Sequence, residues 1–250
     1  MIFSGKTDRG KVRKSNQDDF AVGELSGGAV FAVVCDGMGG ANGGNIASSS
    51  AVKIISENLK QGFDASLKPE NIKLLIIDSI NMANDVVFEK SRNDTALFGM
   101  GTTVVVMIAA SGKAFIAHAG DSRAYLINDE IKKLTRDHSI VQEMLENGKI
   151  TPEEALVHPQ KNIITRALGV EGCLNIDYCV QNFNPGCSVL ICTDGLTNLV
   201  SDSEIYDVIK HEEPEQSVNR LIDMANLSGG SDNITVVIIH NAQTGSEING

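Results

Sequence analysis

Residues 30–45 read VFAVVCDGMGGANGGN, and this stretch decides the fold. It opens on six apolar residues, Val30 to Cys35, which have the length and composition of a buried strand. Asp36 follows, and after it a glycine-rich turn that begins at Gly37. A carboxylate at the end of a buried strand is costly unless a positive charge neutralises it, and glycines leave backbone amides and carbonyls uncovered. The stretch therefore predicts that a cation or a phosphate group sits against this turn.

Three further strand ends carry an aspartate beside glycine, serine or asparagine. SVLICTDGLTN places Asp194 after an apolar run, KAFIAHAGDSR places Asp121 after another, and GGSDNITVVIIH places Asp232 before a fourth. A single Asp-Gly pair more often marks a plain turn. Four acids that all border strongly apolar strands favour one shared site, because hard divalent cations take carboxylate, carbonyl and water oxygens as ligands.

The composition limits the class of protein. A chain of 250 residues with 42% apolar side chains can bury a sizeable core, and its net charge of −11 argues against non-specific nucleic-acid binding. The N-terminus lacks the apolar segment of a signal peptide, and no apolar run reaches the roughly 18 residues of a membrane span. Five cysteines without CxxC spacing indicate reduced thiols. We therefore expect a cytoplasmic protein with no membrane partner.

Apolar spacing predicts both helices and antiparallel strands. Two amphipathic helices, residues 46–60 and 70–91, would cover one face of a sheet. Residues 101–134 alternate strands with tight turns, which indicates antiparallel pairing. Further strands are predicted at 174–180, 188–192 and 234–240, and the last two helices at 203–210 and 216–228.

The first twenty residues leave two interpretations open. Arg13 could bind a phosphate group through two hydrogen bonds while Asp18 faces a cation. The alternative is a solvated terminal arm in which the two side chains form a surface ion pair of little energetic value. The segment alone favours the second interpretation.

Residues 135–169 are polar and helical, unlike the strand-rich sequence around them. A short helix is predicted at 138–147, and Thr151-Pro152 is a strong start for another. Such an insertion is typical either of a surface flap that contacts substrate or of a plain connection between strands. Because the sequence has no repeat, low-complexity tract or linker, residues 1–250 are predicted to form one domain with this insertion.

Other phosphate-handling chemistries lack their residues in this chain. None of the five cysteines is followed by an arginine six positions later, and no Asp-x-Asp pair surrounds Asp194. The spacing of a P-loop and the Gly-x-Ser-x-Gly elbow are also missing. The histidines are spread along the chain, so each is interpreted as structural or superficial rather than as a zinc ligand. A divalent-metal site built from carboxylates remains.

The motifs, taken in order, resemble those of the protein phosphatase 2C (PPM) family of metal-dependent serine/threonine phosphatases, most closely its bacterial branch. They are R-x-x-N-Q-D, V-x-D-G-M-G-G, G-T-T, A-G-D-S-R, L-T-x-D-H-S, I-T-R-A-L-G, T-D-G-L and G-G-x-D-N-I-T-V-V, and they span residues 7–240. The resemblance implies an α+β fold, a four-layer α-β-β-α sandwich with two central antiparallel sheets flanked by helices. It places the metal pair in a cleft at one end and makes the 135–169 insertion the family's variable flap.

The resemblance also implies which residues hold the metals. Asp36 would bridge two Mn²⁺ or Mg²⁺ ions, and the backbone carbonyl of Gly37 would complete the shell of one of them. Asp194 and Asp232 would hold the other ion. Asp18 would act through a metal-bound water.

Four more positions take their interpretation from the same resemblance. Arg13 would grip the substrate phosphate, and Asp121 with Asp194 would hold a third, weaker metal. Met38 stands where animal members carry a histidine proposed as general acid, so water on a metal would have to protonate the leaving alcohol. Asn45 stands where relatives often have glutamate, a departure whose effect the sequence does not define.

The predicted reaction is hydrolysis of phosphoserine and phosphothreonine in proteins. A hydroxide shared by two cations would attack phosphorus in line, with no phosphoenzyme. The implied partners are phosphorylated proteins and a Ser/Thr kinase whose signalling the enzyme counters; we expect a monomer that binds no nucleic acid. Two alternatives stay open: a pseudophosphatase that binds phosphoproteins without turnover, which the retained acids argue against, and a metal-dependent hydrolase of a small phosphoester.

Overall fold

The computed structural model describes residues 1–242, and for residues 40–42 and 156 it describes the backbone alone. Its centre is a pair of antiparallel sheets. The first sheet has the strand order β1-β11-β10-β7-β8. These strands are β1 (Ile2–Asp8), β7 (Arg123–Ile127), β8 (Ile131–Lys133), β10 (Ser188–Cys192) and β11 (Ile234–His240).

The second sheet has the order β2-β3-β5-β6-β9, and a short strand β4 pairs with the end of β3. Alternate residues of β3 face opposite sides, as the two-residue period of a strand requires. Val30 and Ala32 face the other sheet, while Phe31 and Val33 face the helices. The strands are β2 (Asp18–Glu24), β3 (Val30–Met38), β4 (Gly101–Thr102), β5 (Val104–Ala110), β6 (Lys113–Ala119) and β9 (Asp177–Asn182).

Helices cover the outer face of each sheet. One apolar cluster joins the second sheet to α1 and α2, a second joins the first sheet to α6 and α7, and a third lies between the two sheets. The predicted four-layer α-β-β-α sandwich is therefore confirmed. The helices are α1 (Gly40–Gly62), α2 (Pro69–Asn93), α3 (Ile140–Glu146), α4 (Pro152–Val157), α5 (Asp194–Thr197), α6 (Asp202–His211) and α7 (Pro214–Leu227).

The structure differs from the sequence-based elements at several places. Residues 2–8 form an edge strand along β11 rather than a solvated arm, because backbone pairing compensates for a weak apolar pattern. The predicted strand at 101–110 is broken at Thr103, whose side chain is used elsewhere. The strand predicted from residue 174 begins at Asp177, and α1 begins at Gly40 rather than at residue 46. Within residues 1–242, no helix combines the length and apolarity needed to cross a membrane.

Candidate active site

Five aspartates meet at one end of the sandwich. In the second sheet, Asp18 opens β2 directly opposite Asp36 near the end of β3. In the first sheet, β10 and β11 are antiparallel neighbours, so the end of β10 lies beside the start of β11. Asp194 follows β10 and Asp232 precedes β11, so both lie at the same end of the sheet. Asp121 lies in the short connection from β6 to β7, which joins the two sheets. The topology thus gathers acids that are more than 200 residues apart in sequence.

Four of these acids border a cleft of ≈ 420 Å³, called here the aspartate cleft. Asn162 and Ile164 of the 135–169 insertion form part of its wall, so the insertion, called here the flap, borders the site. The acidic lining residues are Asp36, Asp121, Asp194 and Asp232, and among the described lining residues Arg13 alone carries a positive charge.

The backbone of Asp36 is clamped by two neighbouring threonines. Its N–H donates to Thr103 Oγ1 at 2.9 Å, and its carbonyl accepts from the Thr103 N–H at 2.8 Å and from Thr102 Oγ1 at 2.9 Å. Thr103 Oγ1 is also 2.7 Å from Ser122 Oγ. These bonds explain why the G-T-T motif accompanies the aspartate: its two hydroxyls fix the carboxylate's position at the end of the strand.

Asp18 lies behind the cleft and is almost wholly buried. Its Oδ2 accepts hydrogen bonds from Thr193 Oγ1 at 2.9 Å and Thr235 Oγ1 at 2.7 Å. Its Oδ1 is buried and has no hydrogen-bond partner among the described residues. An unsatisfied buried carboxylate oxygen is costly. This atom therefore fits a ligand such as a cation or a cation-bound water.

Four of the aspartates at or behind the cleft, Asp18, Asp36, Asp121 and Asp194, bind their protons more tightly than ordinary carboxyls do. Burial raises the pKa of Asp18 to about 7, and burial followed by the charge of Asp194 raises the pKa of Asp121 to about 7. Burial and then repulsion from Asp18 and Asp194 raise the pKa of Asp36 well above its usual range. The pKa of Asp194 is raised by burial and by Asp232. These aspartates repel one another, and the nearby positive charge is too small to offset that repulsion.

Arg13 lies at the rim of the cleft, where it binds Asp232. Its Nη2 donates to Asp232 Oδ2 at 2.6 Å, and this bond raises the pKa of the half-exposed guanidinium. The loop that carries Arg13 is fixed by Asn233, whose Nδ2 donates to the carbonyls of Arg9 and Ser15 at 2.9 and 3.0 Å. The pairing thus places Arg13 beside a predicted metal ligand, 219 residues away in sequence.

Glycine at position 37 lets two backbone segments meet at the cleft. A Cβ there would overlap the backbone of Gly44 in α1 and come within 2.6 Å of the Gln17 carbonyl oxygen. The Gly37 N–H donates to that same carbonyl at 3.0 Å. Only glycine therefore fits the turn that follows Asp36.

The donor set of the aspartate cleft fits divalent cations. It consists of oxygen atoms, its carboxyl groups repel one another, and Asp18 Oδ1 lacks a partner. The groups that could hold ions are Asp36, the Gly37 carbonyl, Asp121, Asp194 and Asp232 in the lining of the cleft and Asp18 behind it.

A second group of potential metal ligands lies beneath the flap. His118 and His138, expected to be separate, stack with ring centroids 4.8 Å apart, and Asp177 lies beside them. Within the described part of the chain, this is the one group of three such side chains whose ligand atoms lie within 4.8 Å of one another. His118 Nε2 bonds the backbone carbonyl of Arg136 at 2.9 Å and so carries the proton of that bond.

The nitrogen and oxygen atoms of this histidine group are already engaged in hydrogen bonds, so few lone pairs are left to bind a cation. The Gly120 N–H donates to His138 Nδ1 at 3.1 Å, so the neutral ring carries its proton on Nε2, 3.2 Å from Asp177 Oδ2. Burial lowers the pKa of His138 and so favours the neutral ring. Arg166 Nη1 donates to Asp177 Oδ1 at 2.9 Å and supplies the neutralising charge. The group is a structural junction between the flap and the second sheet.

All seven sequence-predicted site residues lie in or directly behind the aspartate cleft. Sequence reasoning missed the two hydroxyls that hold Asp18, those of Thr193 and Thr235. Thr193 directly precedes Asp194 and Thr235 follows Asp232 by three residues, so the motifs contained the signal. The sequence alone does not single out these threonines, because a threonine near a strand end is common without such a role.

Comparison with known proteins agrees with this geometry. The protein phosphatase 2C family model matches residues 8–227. The serine/threonine phosphatase stp of Listeria welshimeri is 40% identical over 236 residues, covering 94% of this chain and 93% of its own. The serine/threonine phosphatase of S. agalactiae has a TM-score of 0.90 at 34% identity, covering 97% of this chain and 99% of its own.

A third relative was solved with metal. The catalytic domain of the serine/threonine phosphatase PstP, in complex with 2 manganese ions, has a TM-score of 0.84 at 30% identity and covers 97% of this chain and 98% of its own. The similarity to these proteins extends along nearly the full chain and includes the elements that carry the cleft. The chain therefore belongs to the protein phosphatase 2C family and is a serine/threonine protein phosphatase of the bacterial type.

Proposed function

We propose that the aspartate cleft is a binuclear metal site at which phosphoserine and phosphothreonine of proteins are hydrolysed directly by water. The observation that carries the proposal is the shortage of positive charge, since four carboxylates line the cleft and Arg13 is the one cation among its described lining residues. Two divalent cations would remove that shortage. The 2 manganese ions named for the PstP catalytic domain support this number and type of ion.

Each predicted ligand would contact an ion of the proposed site, either directly or through water. Asp36 would contact both Mn²⁺ or Mg²⁺ ions, the Gly37 carbonyl one of them, and Asp194 and Asp232 the other. Asp18 would act through water with its unsatisfied Oδ1. Asp121, with Asp194, would hold a third ion. When bound, such ions supply the hydroxide nucleophile and neutralise phosphoryl charge.

The chain's own residues bind and orient the phosphate. Arg13 would exchange its bond to Asp232 for two hydrogen bonds to phosphoryl oxygens, a geometry suited to a guanidinium. The described lining of the cleft contains no cysteine or histidine, and the Thr103 hydroxyl is engaged by Asp36 and Ser122, which supports direct hydrolysis without a phosphoenzyme. Met38 has no proton to give, so the leaving alcohol would take its proton from water.

The proposed setting of this enzyme is signalling by protein phosphorylation in the cytoplasm. The relatives' names support phosphorylated proteins as substrates, and we propose that the enzyme opposes a Ser/Thr kinase. The five free cysteines support a reducing compartment, the cytoplasm. The single family match over residues 8–227 supports one phosphatase domain with the flap as an insertion. The monomeric state stays a prediction.

The test is phosphate release from a phosphothreonine peptide with Mn²⁺, without added metal, and with EDTA. We expect release that requires the metal and stops with EDTA. Release that persists in EDTA would contradict the metal site. Peptide binding without release by the folded protein, under any divalent metal, would instead favour the pseudophosphatase, and turnover of small phosphoesters alone would favour the small-molecule hydrolase.

A further inference from the structure

A second pocket of ≈ 310 Å³ adjoins the aspartate cleft, and nothing in the proposed reaction uses it. The two spaces share Met38 and Ile164 in their walls, so they form one continuous surface. We call this space the flap pocket. The lining of the flap pocket mixes apolar side chains, among them Met38, Ile164, Val170 and Leu174, with polar ones, among them Arg166 and Glu171.

One wall of the flap pocket is held by a buried amide. Asn84 is 2% exposed within the apolar face of α2, where an unpaired amide would be costly. Its Oδ1 accepts from the Gly169 N–H at 2.8 Å and its Nδ2 donates to the Glu171 carbonyl at 3.0 Å. Leu168 adds two backbone hydrogen bonds to Thr102, of 2.8 and 3.0 Å. The wall is therefore fixed before any ligand arrives.

The other side of the pocket is also fixed. Arg166 is held by its bond to Asp177, next to the stacked His138. The methyl groups of Met38 and Val170 both lie against Gly101, which offers no side chain to fill the space. Because these side chains are already held in place, an apolar group that packs against Met38 and Val170 binds at a smaller ordering cost.

We propose that the flap pocket receives an apolar side chain of the phosphoprotein substrate, one or two residues from the phosphorylated residue. This inference rests on the proposed function. Because the flap pocket and the aspartate cleft share Met38 and Ile164, an extended peptide whose phosphate lies in the cleft can place a neighbouring side chain in the flap pocket. Met38, Val170 and Leu174 offer aliphatic contacts to a leucine-sized side chain, and the pocket thereby gives the enzyme sequence preference around the phosphate.

The first test compares phosphothreonine peptides that differ at one flanking position. Gly, Leu, Lys and Glu are placed in turn at each of the two positions before and after the phosphothreonine, and p-nitrophenyl phosphate serves as a substrate without flanks. We expect Leu at one of these positions to raise kcat/KM about tenfold over Gly. Equal kcat/KM for the Gly and Leu peptides, or a larger gain with Lys or Glu, would overturn the proposal.

The second test fills the pocket. Val170 is 46% exposed, so Val170→Trp adds bulk at the pocket without loading the core. Val180→Trp is the matched control, because Val180 is 39% exposed on β9 and lies outside the lining of the flap pocket. We expect Val170→Trp to lower the ratio of peptide to p-nitrophenyl phosphate kcat/KM about tenfold and to remove the preference for Leu over Gly. The proposal fails if both variants change this ratio equally.

A chemical block supplies an independent version of the same test. Cys173 is the exposed cysteine of the five, so N-phenylmaleimide should place an aromatic ring in the flap pocket. We expect the reagent to lower the peptide ratio of the wild-type enzyme and to leave that of Cys173→Ser as it was before treatment. An unchanged ratio in fully labelled wild-type enzyme would overturn the proposal. Loss of the proposed function itself would look different, because neither substrate would then release phosphate with Mn²⁺.

Discussion

Asp36 and Asp137 show how differently one molecule can treat two aspartates in polar clusters. Asp137 is nearly buried, and although burial raises its pKa, Arg123 and then Lys133 lower it below the usual range. Arg123 donates three hydrogen bonds to it, and Lys133 Nζ lies 2.6 Å from its Oδ1. Asp36 faces other aspartates, and its pKa is raised. One carboxylate is satisfied by the fold, and the other is left needing positive charge.

The histidine group beneath the flap sharpens this comparison. Its ligand atoms lie closer together than those of the aspartate cleft, yet each is already engaged by a backbone group, a neighbouring side chain or Arg166. We therefore expect uncompensated charge to be a better sign of the metal site in this protein than proximity of ligand atoms. If this difference is real, the cleft should respond to added metal and to loss of an aspartate, whereas the Asp137 ion pairs and the histidine group should not respond in the same way.

The largest expected effect is on catalysis. Asp36→Asn removes the carboxylate that would contact both ions, and we expect kcat/KM for a phosphothreonine peptide to fall by about 10³-fold or more, with the fold kept. The assay is phosphate release with saturating Mn²⁺, alongside circular dichroism to verify folding. Near-wild-type turnover would sink the assignment of the metal site.

The next effect concerns stability, and the two aspartates should respond with opposite signs. In metal-free protein at pH 8, Asp36→Asn relieves repulsion and should raise the melting temperature. Asp137→Asn leaves Arg123 and Lys133 without their carboxylate and should lower the free energy of unfolding by about 3 kcal/mol. Thermal and urea unfolding in EDTA measure both. Shifts of the same sign would mean that the cleft is not short of positive charge.

The pH dependence of stability follows from the raised pKa values. Asp18 and Asp121 have a folded-state pKa of about 7, above the value of about 3.9 for an unfolded aspartate, so their contribution is full below pH 4 and is lost as pH rises through 7. The melting temperature in EDTA should therefore fall between pH 5 and pH 8, and Mn²⁺ should stabilise the protein more at pH 8. A flat profile in EDTA, with no larger metal effect at pH 8, contradicts the account.

The smallest effect is expected at the rim. Arg13→Ala removes a partly exposed guanidinium, and we expect KM for the phosphopeptide to rise about tenfold with a smaller change in kcat. Arg13→Lys keeps the charge but not the paired hydrogen bonds, so its KM should lie between that of the wild type and that of Arg13→Ala. Steady-state kinetics decide, and an unchanged KM in Arg13→Ala would remove this residue from the phosphate site.

Local patterns predicted much of the fold and the acids of the site. The run before Asp36 and the turn after it are encoded within a few residues, and both strands 188–192 and 234–240 have the predicted bounds. Contacts between distant segments were harder to predict. The Arg13–Asp232 pair joins residues 219 positions apart, and the stacking of His118 on His138 depends on where the flap returns to the sheet. No periodicity in the sequence carries that information.

The most direct test of the central claim is calorimetric titration with Mn²⁺ of wild type, Asp36→Asn and His138→Gln. If uncompensated charge makes the metal site, wild type binds at least two ions, Asp36→Asn loses that binding, and His138→Gln keeps it. Retained binding in Asp36→Asn together with loss in His138→Gln would place the metal beneath the flap and contradict the account.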